Sequence, residues 1–223
     1  AILCSCGKME CFSGDSKLKI QTENEAVARK CFTLLQKTFN IETKIFVREN
    51  SHLKRVKVYT IEITDPEEIQ VIFQALRLVT NSIDQGTLVL SDMLVVQQNC
   101  CKRAFIRGAF LASGSISDPE KGYHFEIVCR TMPQAEQLRD TMNSFDVDAK
   151  IVERKKHFVV YLKEGAQIVD ILNVMEAHVA LMNLENVRIL KEMRNSVNRQ
   201  VNCETANINK TVNAAVKQIE DIK

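Results

Sequence analysis

The chain has 223 residues, of which 45% are hydrophobic and 26% charged, with only 7 glycines and 3 prolines. This composition is typical of a folded protein and argues against disorder except at the ends. The formal net charge is only +2, so any face for nucleic acid must come from local segregation of charge. No apolar run approaches the roughly 20 residues that cross a bilayer, and the N-terminus lacks the charged-then-apolar order of a signal peptide. We expect a soluble, cytoplasmic protein with no membrane partner.

The first half of the chain predicts alternating helices and strands. A short helix of small residues opens the chain, and the alternation from Lys17 to Thr22 is that of a half-buried strand. Helical spacing follows from Glu25 to Phe39, and two strands then run from Thr43 to Glu49 and from Lys54 to Ile63. The next helix opens at Asp65, followed by a proline and two glutamates, which suit the first turn and the positive end of the helix dipole.

The second half repeats this order after another small-residue helix. Its predicted elements are a strand His124–Arg130, a helix Pro133–Phe145, a hairpin of Ala149–Lys155 and His157–Lys163, and a helix Ala166–Met175. Each half therefore runs helix, strands, helix, strand pair, helix, which predicts an α+β fold with mixed or antiparallel sheets.

The repeat is also visible residue by residue. Ala1–Met9 aligns with Gly108–Ile116, and Phe39–Ile45 aligns with Phe145–Ile151. A duplication at a spacing of about 107 residues predicts two similar halves within one monomer, related by a pseudo-twofold axis. Such symmetry suits a twofold-symmetric partner, and double-stranded DNA is the commonest one.

The connections suggest where the domains end. Residues 80–99 contain Ser, Asp and Gly and predict a loop between the halves. After the second half a long amphipathic helix is predicted, then a polar linker over Asn198–Thr205, then helical spacing to the last residue. We predict a first half over 1–93, a second half over 94–197, and a linker with the first helix of a further domain over 198–223. Both end helices break off in mid-pattern, so we expect the chain to extend beyond both ends.

The eight cysteines are interpreted as free and mostly buried thiols, because most lie inside apolar segments. Disulfides are the less favoured alternative. A metal site from Cys4, Cys6 and Cys11 is disfavoured, because no pair among them has the C-x-x-C spacing. No cofactor or metal is predicted.

Small residues lie four apart on one face of each repeated helix, where they let two backbones approach closely. A glycine then ends each helix or allows a close turn into the following strand. The alternative is two unrelated small-residue helices, which the matching positions of the following strands disfavour. The predicted residues of this helix seam are Ala1, Ser5, Gly7, Gly108, Ala112 and Gly114.

These residues carry a family resemblance. Ile106–Ile116 resembles the LAGLIDADG motif of homing endonucleases, whose two copies form a pseudo-dimer seam beneath a β-saddle that straddles DNA. Together with it, Cys100–Glu120, Thr22–Arg29 and Asn198–Asn207 resemble the WhiA family of bacterial sporulation and cell-division regulators, over essentially all of the chain. The resemblance implies a duplicated LAGLIDADG-type pseudo-dimer with a β-saddle, followed by a helix-turn-helix DNA-binding domain that would begin where this sequence ends.

One departure from the endonuclease pattern concerns catalysis. Homing enzymes end each motif helix with an acidic residue, so that two carboxylates hold divalent metal over the scissile phosphates. Here those positions are Cys6 and Ser113, and a neutral thiol and a hydroxyl are poor ligands for Mg²⁺. Asp118, Glu120 and Glu10 lie nearby, but a solvated turn explains them better than a relocated metal site. We therefore expect no catalytic residues and no strand cleavage.

Charge segregation indicates a retained role on DNA. Both predicted hairpins are basic in the same place, so they could follow phosphates on either side of the pseudo-symmetry axis. Lysine-rich hairpin tips are also common as plain solvated surface. The predicted DNA-binding residues are Lys44, Arg48, Lys54, Arg55, Lys57, Arg130, Lys150, Arg154, Lys155 and Lys156.

The hypothesis that follows is a non-catalytic, DNA-binding transcriptional regulator of sporulation or cell division in bacteria, located in the cytoplasm on the nucleoid. The LAGLIDADG-like domain would be a scaffold or an accessory DNA reader. A second hypothesis is a protein-interaction module that uses the former DNA saddle to bind transcription or cell-division proteins. A metal-dependent homing-type endonuclease is third, because both expected carboxylates are missing.

Overall fold

The computed structural model describes residues 1–12, 15–50, 56–80 and 86–222. Within them, seven α-helices and ten strands alternate in two similar series. The helices are α1 (Ile2–Cys6), α2 (Glu25–Phe39), α3 (Pro66–Leu76), α4 (Asn99–Ser113), α5 (Met132–Asn143), α6 (Gly165–Val174) and α7 (His178–Ile222). The strands are β1 (Gly7–Phe12), β2 (Asp15–Thr22), β3 (Lys44–Asn50), β4 (Val56–Ile63), β5 (Leu78–Thr80), β6 (Leu88–Leu90), β7 (Gly114–Ile116), β8 (Phe125–Cys129), β9 (Lys150–Arg154) and β10 (His157–Leu162).

Several helices begin and end at residues that cap their backbone groups. Asn24 accepts hydrogen bonds from the amides of Ala26 and Val27 at the start of α2, and Asn40 ends that helix in the left-handed region at φ 56°. Asp65 likewise accepts the amide of Glu67 at the start of α3. The predicted bounds of α2 and the predicted start of α3 are confirmed.

Two four-stranded antiparallel sheets repeat the same strand order. The first is β1-β2-β4-β3 and the second is β7-β8-β10-β9. The register repeats as well, because Gly7 pairs with Ile20 in the first sheet and Gly114 pairs with Ile127 in the second. The α+β architecture of two related halves is therefore confirmed.

Each sheet packs one face against its own helices. Leu18, Ile20 and Ile61 are almost fully buried in the first core, as are Phe125 and Ile127 in the second. Because side chains alternate along a strand, the residues between these point to the opposite face of each sheet.

The predicted loop over 80–99 is only partly right. Within it lie β6, which pairs with β5, a short 3₁₀ helix at Leu94–Val96 and the start of α4 at Asn99. Leu88 and Leu90 are buried in the first core. A three-residue strand is too short to show a period in the sequence, which is why the pattern missed it. Residues 81–85 lie outside the described part of the chain.

The predicted linker at Asn198–Thr205 is wrong, because α7 continues through it without a break. At about 1.5 Å per residue the helix is roughly 67 Å long. The segment contains neither glycine nor proline, and its missing periodicity reflects an exposed helix with no core to face. Among the described residues, no helix combines the length and the apolar character needed to cross a membrane.

The eight cysteines are all free thiols. Cys4, Cys6, Cys31 and Cys129 are buried as predicted. The expectation that most are buried is too strong, because the other thiols reach the surface in whole or in part. Cys101 is half-buried, and the exposed ones are Cys11, Cys100 and Cys203.

Candidate nucleic-acid interface

The first and fourth helices meet at the seam between the halves. A Cβ built on Gly108 would lie 3.0 Å from the Ala1 Cβ, so the two backbones approach as closely as small side chains allow. The Cys6 thiol lies 3.9 Å from the carbonyl oxygen of Ala112 across the same seam. The structure thus brings Ala1 and Gly108 together at the predicted seam, and places Ala112 beside Cys6.

Both seam helices end in the same way. The Gly7 amide donates to Leu3 O and the Gly114 amide donates to Phe110 O, while both glycines adopt an extended conformation that starts a strand. A Cβ on Gly7 would lie 2.3 Å from Leu3 O, and one on Gly114 would lie 2.2 Å from the Phe110 ring. Any larger residue would push the strand away from the helix end.

Cys6 and Ser113, which the sequence resemblance places at the metal positions of homing enzymes, are neutral and already bonded. Burial raises the pKa of the Cys6 thiol, which keeps it protonated, although the nearby Arg130 opposes this shift. The Ser113 hydroxyl donates to Val128 O at 2.8 Å. Neither group supplies negative charge, so this pair does not fit a divalent metal.

The acids near the seam helices have other partners. Glu10 lies 3.7 Å from the Lys19 ammonium, and Asp118 accepts the Glu120 amide in the turn after β7. Within the described ranges, no cluster of three His, Cys, Asp or Glu residues could hold a metal ion.

Polar side chains of the second half cross the seam. Arg130, the residue after β8, donates from Nη1 to Gly7 O at 3.3 Å. Gln134, in the first turns of α5, donates to Cys4 O at 3.2 Å and to Leu88 O at 2.9 Å. These bonds tie the start of α5 to the first half of the molecule.

We call the sheet faces that point away from the helices the saddle face. On the first sheet, Lys8, Lys19, Glu62 and Lys44 form one row across all four strands. This sheet is basic in the part whose side chains the structure describes. Its saddle-face cations are Lys8, Lys17, Lys19, Lys44 and Arg48, and its carboxylates are Glu10 and Glu62.

Two of those cations are neutralised and three are not. The Lys17 ammonium lies 2.8 Å from Glu62, and its hydrogen bond holds the pKa of that carboxyl below its usual range. Lys19 pairs with Glu10. The exposed cations that lack a carboxylate partner in the described ranges are Lys8, Lys44 and Arg48.

The predicted first hairpin is split between the two faces. Register and alternation place Lys57 opposite Glu49 on the helix side of the sheet, where their charges lie 3.6 Å apart. The structure therefore does not bring Lys57 together with Lys44 and Arg48. Lys54 and Arg55 lie outside the described residues.

The two predicted cations on the strands of the second sheet are both paired with carboxylates. Lys150 and Arg154 share the saddle face, but Lys150 lies 3.4 Å from Asp148 and Arg154 lies 3.4 Å from Glu126. Residues 155 and 156 form the hairpin turn, with Lys155 in the left-handed region at φ 59°. Hydrogen bonds from His124 and Ser115 hold the pKa of Glu126 below its usual range, and Arg154 adds to the effect.

Sequence reasoning missed Lys8, Lys17 and Lys19. The signal was present in the alternation from Lys17 to Thr22, which puts both lysines of β2 on one face of the strand. The alternation did not show that this face joins that of Lys44, because strand order is a tertiary property.

Together, the seam helices, the paired sheets and the saddle face define a duplicated LAGLIDADG-like protein. The sequence matches the WhiA N-terminal LAGLIDADG-like domain over residues 1–79, the WhiA LAGLIDADG-like domain over 102–194, and the WhiA C-terminal HTH domain over 197–223. The chain belongs to the WhiA family, as the sequence resemblance implied.

Relatives cover the whole chain. A probable cell division protein WhiA from Lachnoclostridium phytofermentans is 56% identical over 223 residues, which are 100% of this chain and 71% of the relative. A second protein of that name, from Alkaliphilus oremlandii, is 47% identical over 228 residues, with the same shares of the two chains.

Solved structures share the fold. Full-length DUF199/WhiA from Thermatoga maritima matches 98% of this chain and 68% of its own, at a TM-score of 0.68 and 21% identity. The homing endonuclease I-DmoI, solved in complex with DNA and Mn, matches 78% of this chain and 93% of its own, at a TM-score of 0.54 and 12% identity. The predicted LAGLIDADG-type architecture is confirmed by both.

Proposed function

We propose that the chain is part of a non-catalytic, DNA-binding regulator of transcription that acts in bacterial cell division or sporulation. The paired halves would serve as a scaffold or an accessory reader of double-stranded DNA, and the segment from residue 197 would lead into a helix-turn-helix domain. Such a protein works in the cytoplasm on the nucleoid.

The observation that carries this proposal is the unpaired positive charge on the first sheet. Lys8, Lys44 and Arg48 are exposed on the saddle face without carboxylate partners in the described ranges. Exposed cations without partners add little to the stability of the fold. When they contact the phosphates of a duplex, the release of counterions from the DNA favours binding. The structural match to I-DmoI, which was solved in complex with DNA, also supports DNA binding by this fold.

Salt dependence tests DNA binding directly. If four or more cations touch phosphates, log affinity for a duplex should fall with log salt at a slope of about −3 to −4. Replacing Lys44 and Arg48 by Gln should make the slope shallower by about 2. The matched control replaces Lys30 and Lys37 by Gln, because these exposed lysines lie on α2, on the other side of the sheet. A slope near zero, or equal losses in both double variants, would contradict the proposal.

The absence of catalysis is tested on supercoiled plasmid with Mg²⁺ or Mn²⁺. We expect no nicking, because Cys6 is a buried neutral thiol and Ser113 is bonded to Val128 O. Metal-dependent nicking that disappears in Asp118→Ala would show that a relocated carboxylate supports cleavage.

A specific observation also supports a protein partner. Phe46, on the saddle face of the edge strand β3, is 48% exposed, and Val152 on the edge strand β9 is 40% exposed. An apolar ring on an edge strand suits a polypeptide better than a phosphate backbone. Capture of a transcription or cell-division protein that survives nuclease treatment and is lost in Phe46→Ser would favour this second function.

A further inference from the structure

Arg130 lies where the two halves meet on the saddle face. It directly follows β8, and alternation from the buried Ile127 and Cys129 turns its side chain to the saddle face. From there Nη1 reaches the carbonyl oxygen of Gly7 in the other half, at 3.3 Å. Gly7 immediately follows Cys6, so the guanidinium lies beside one of the two former metal positions.

The backbone of Arg130 is held in place from the other side. Its backbone N–H donates to Gln134 Oε1 at 3.2 Å, while the side-chain Nε2 of Gln134 donates to both Cys4 O and Leu88 O. The arginine is therefore fixed relative to α1 and β6 of the first half. A guanidinium carries five N–H donors, and only one bond from this group is formed in the described part of the chain.

No carboxylate in the described ranges pairs with Arg130, and its side chain is exposed. A fixed positive charge at this point repels a divalent cation and attracts a phosphate, for which the planar fork of a guanidinium is well shaped. The chemistry of the site is thus reversed, from carboxylates that hold a cation to a cation that holds an anion.

We propose that the Arg130 guanidinium binds a backbone phosphate of duplex DNA at the centre of the saddle, in place of the divalent metal of homing enzymes. This inference rests on the proposed function, since it needs a duplex on the saddle face. It makes the former catalytic centre an anchor that holds the strand uncut.

The anchor is present in only one half. Glu23 follows Ile20 by three residues, as Arg130 follows Ile127, and the two isoleucines occupy equivalent register positions. A carboxylate at the pseudo-symmetric position cannot bind a phosphate. The centre of the saddle therefore contacts one strand of the duplex with a cation and faces the other with an acid.

The test measures binding of the 223-residue chain to a labelled duplex by fluorescence anisotropy, between about 50 and 200 mM KCl with EDTA present. Arg130→Met and Arg130→Gln both remove the charge, and Gln keeps a donor for Gly7 O. Each should weaken binding about tenfold at low salt and make the log–log slope shallower by about 0.9. Arg130→Lys should keep the wild-type slope.

Two control variants come from the same elements. Arg139→Met removes a cation of α5 that pairs with Asp140, and it should leave the slope unchanged. Glu23→Gln should leave affinity unchanged or raise it. Thermal melting of every variant shows whether a loss of binding is due to a loss of folding. If Arg130→Met or Arg130→Gln has a lowered melting temperature, the other neutral variant decides the test.

The outcomes separate this inference from the proposed function. If both neutral Arg130 variants keep the wild-type slope while Lys44/Arg48→Gln makes it shallower, DNA lies on the saddle but Arg130 does not anchor it, and the inference is wrong. If the wild-type slope is itself near zero, the proposed function fails first. Restoration of tight binding to Arg130→Met by millimolar Mg²⁺ would also overturn the inference, because a metal would then fit the site.

Discussion

The ammonium nitrogen of Lys191 lies 2.6 Å from the carbonyl oxygen of Pro119, and 2.9 Å from that of Glu120. It also lies 5.3 Å from the centre of the Tyr123 ring. These contacts fasten α7 to the turn between β7 and β8. Beyond them, every described residue from 195 onward is exposed, so the last part of the helix has no core to support it.

The exposed part of α7 should break without unfolding the two halves. Thr205→Pro removes a backbone donor and clashes with the preceding turn, at a cost of about 3 kcal/mol in a helix interior. We expect circular dichroism at 222 nm to show a loss of helix, with an unchanged melting temperature for the rest of the protein. Thr205→Ala is the control and should keep or raise the helical signal. Equal spectra for the two variants would mean that the polar segment is not helical in solution.

The seam should reject a large side chain at Gly108. A Cβ there already meets the Ala1 Cβ at 3.0 Å, so Gly108→Leu must push α1 and α4 apart. Overpacking of this kind costs about 1–3 kcal/mol, more than the roughly 1 kcal/mol that a helix gains on losing a glycine. Urea unfolding should therefore show a lower midpoint for Gly108→Leu. Gly122→Leu is the matched control, since no atom lies within 4 Å of a Cβ at Gly122. Equal midpoints for both variants would argue against a tight seam.

Stability should fall on the acid side partly through Glu126. The pKa of this carboxyl is lowered in the folded protein, chiefly by the hydrogen bond from His124. Near the ordinary glutamate pKa the unfolded chain then binds more protons than the folded one, so the contribution is present at neutral pH and is lost below about pH 5. Urea midpoints from pH 7 to pH 3 should fall less steeply in Glu126→Gln than in the wild type. Glu136→Gln, on the exposed surface of α5, should keep the wild-type slope. A wild-type slope in Glu126→Gln would show that the pair with His124 contributes nothing.

Thiol reactivity should divide the cysteines by burial. Burial raises the pKa of Cys31 to about 11 and that of Cys129 to about 12, and it also raises the pKa of Cys4 and Cys6. Because the thiolate is the reactive species, these four should react slowly with an aromatic disulfide reagent at pH 8. We expect a fast phase from the three exposed cysteines, and all eight thiols to react in guanidinium chloride. If six or more thiols reacted in the fast phase, the buried positions would be wrong. If fewer than eight thiols reacted in denaturant, a disulfide would be present.

Much of the fold could be predicted because its determinants are local. The caps at Asn24 and Asp65 and the alternation after Lys17 each act within a few residues. The repeat of these signals in the second half predicted two equivalent sheets. Where a determinant was not local the prediction failed in part, as at the three-residue β6, whose Leu88 is buried in the first core.

The sequence by itself determined the two halves, the small residues at the start of the seam and the family, and it predicted neutral residues where homing enzymes hold metal. Only the tertiary structure decided that Lys8 and Lys44 share a row, that Lys57 faces away from them, and that α7 runs unbroken. It also decided that Arg130 meets Gly7, which lies 123 residues away. The reason is that alternation assigns a residue to one of two faces of its strand, whereas the neighbours on that face depend on strand order and on the approach of the two halves, which are set by packing over the whole chain.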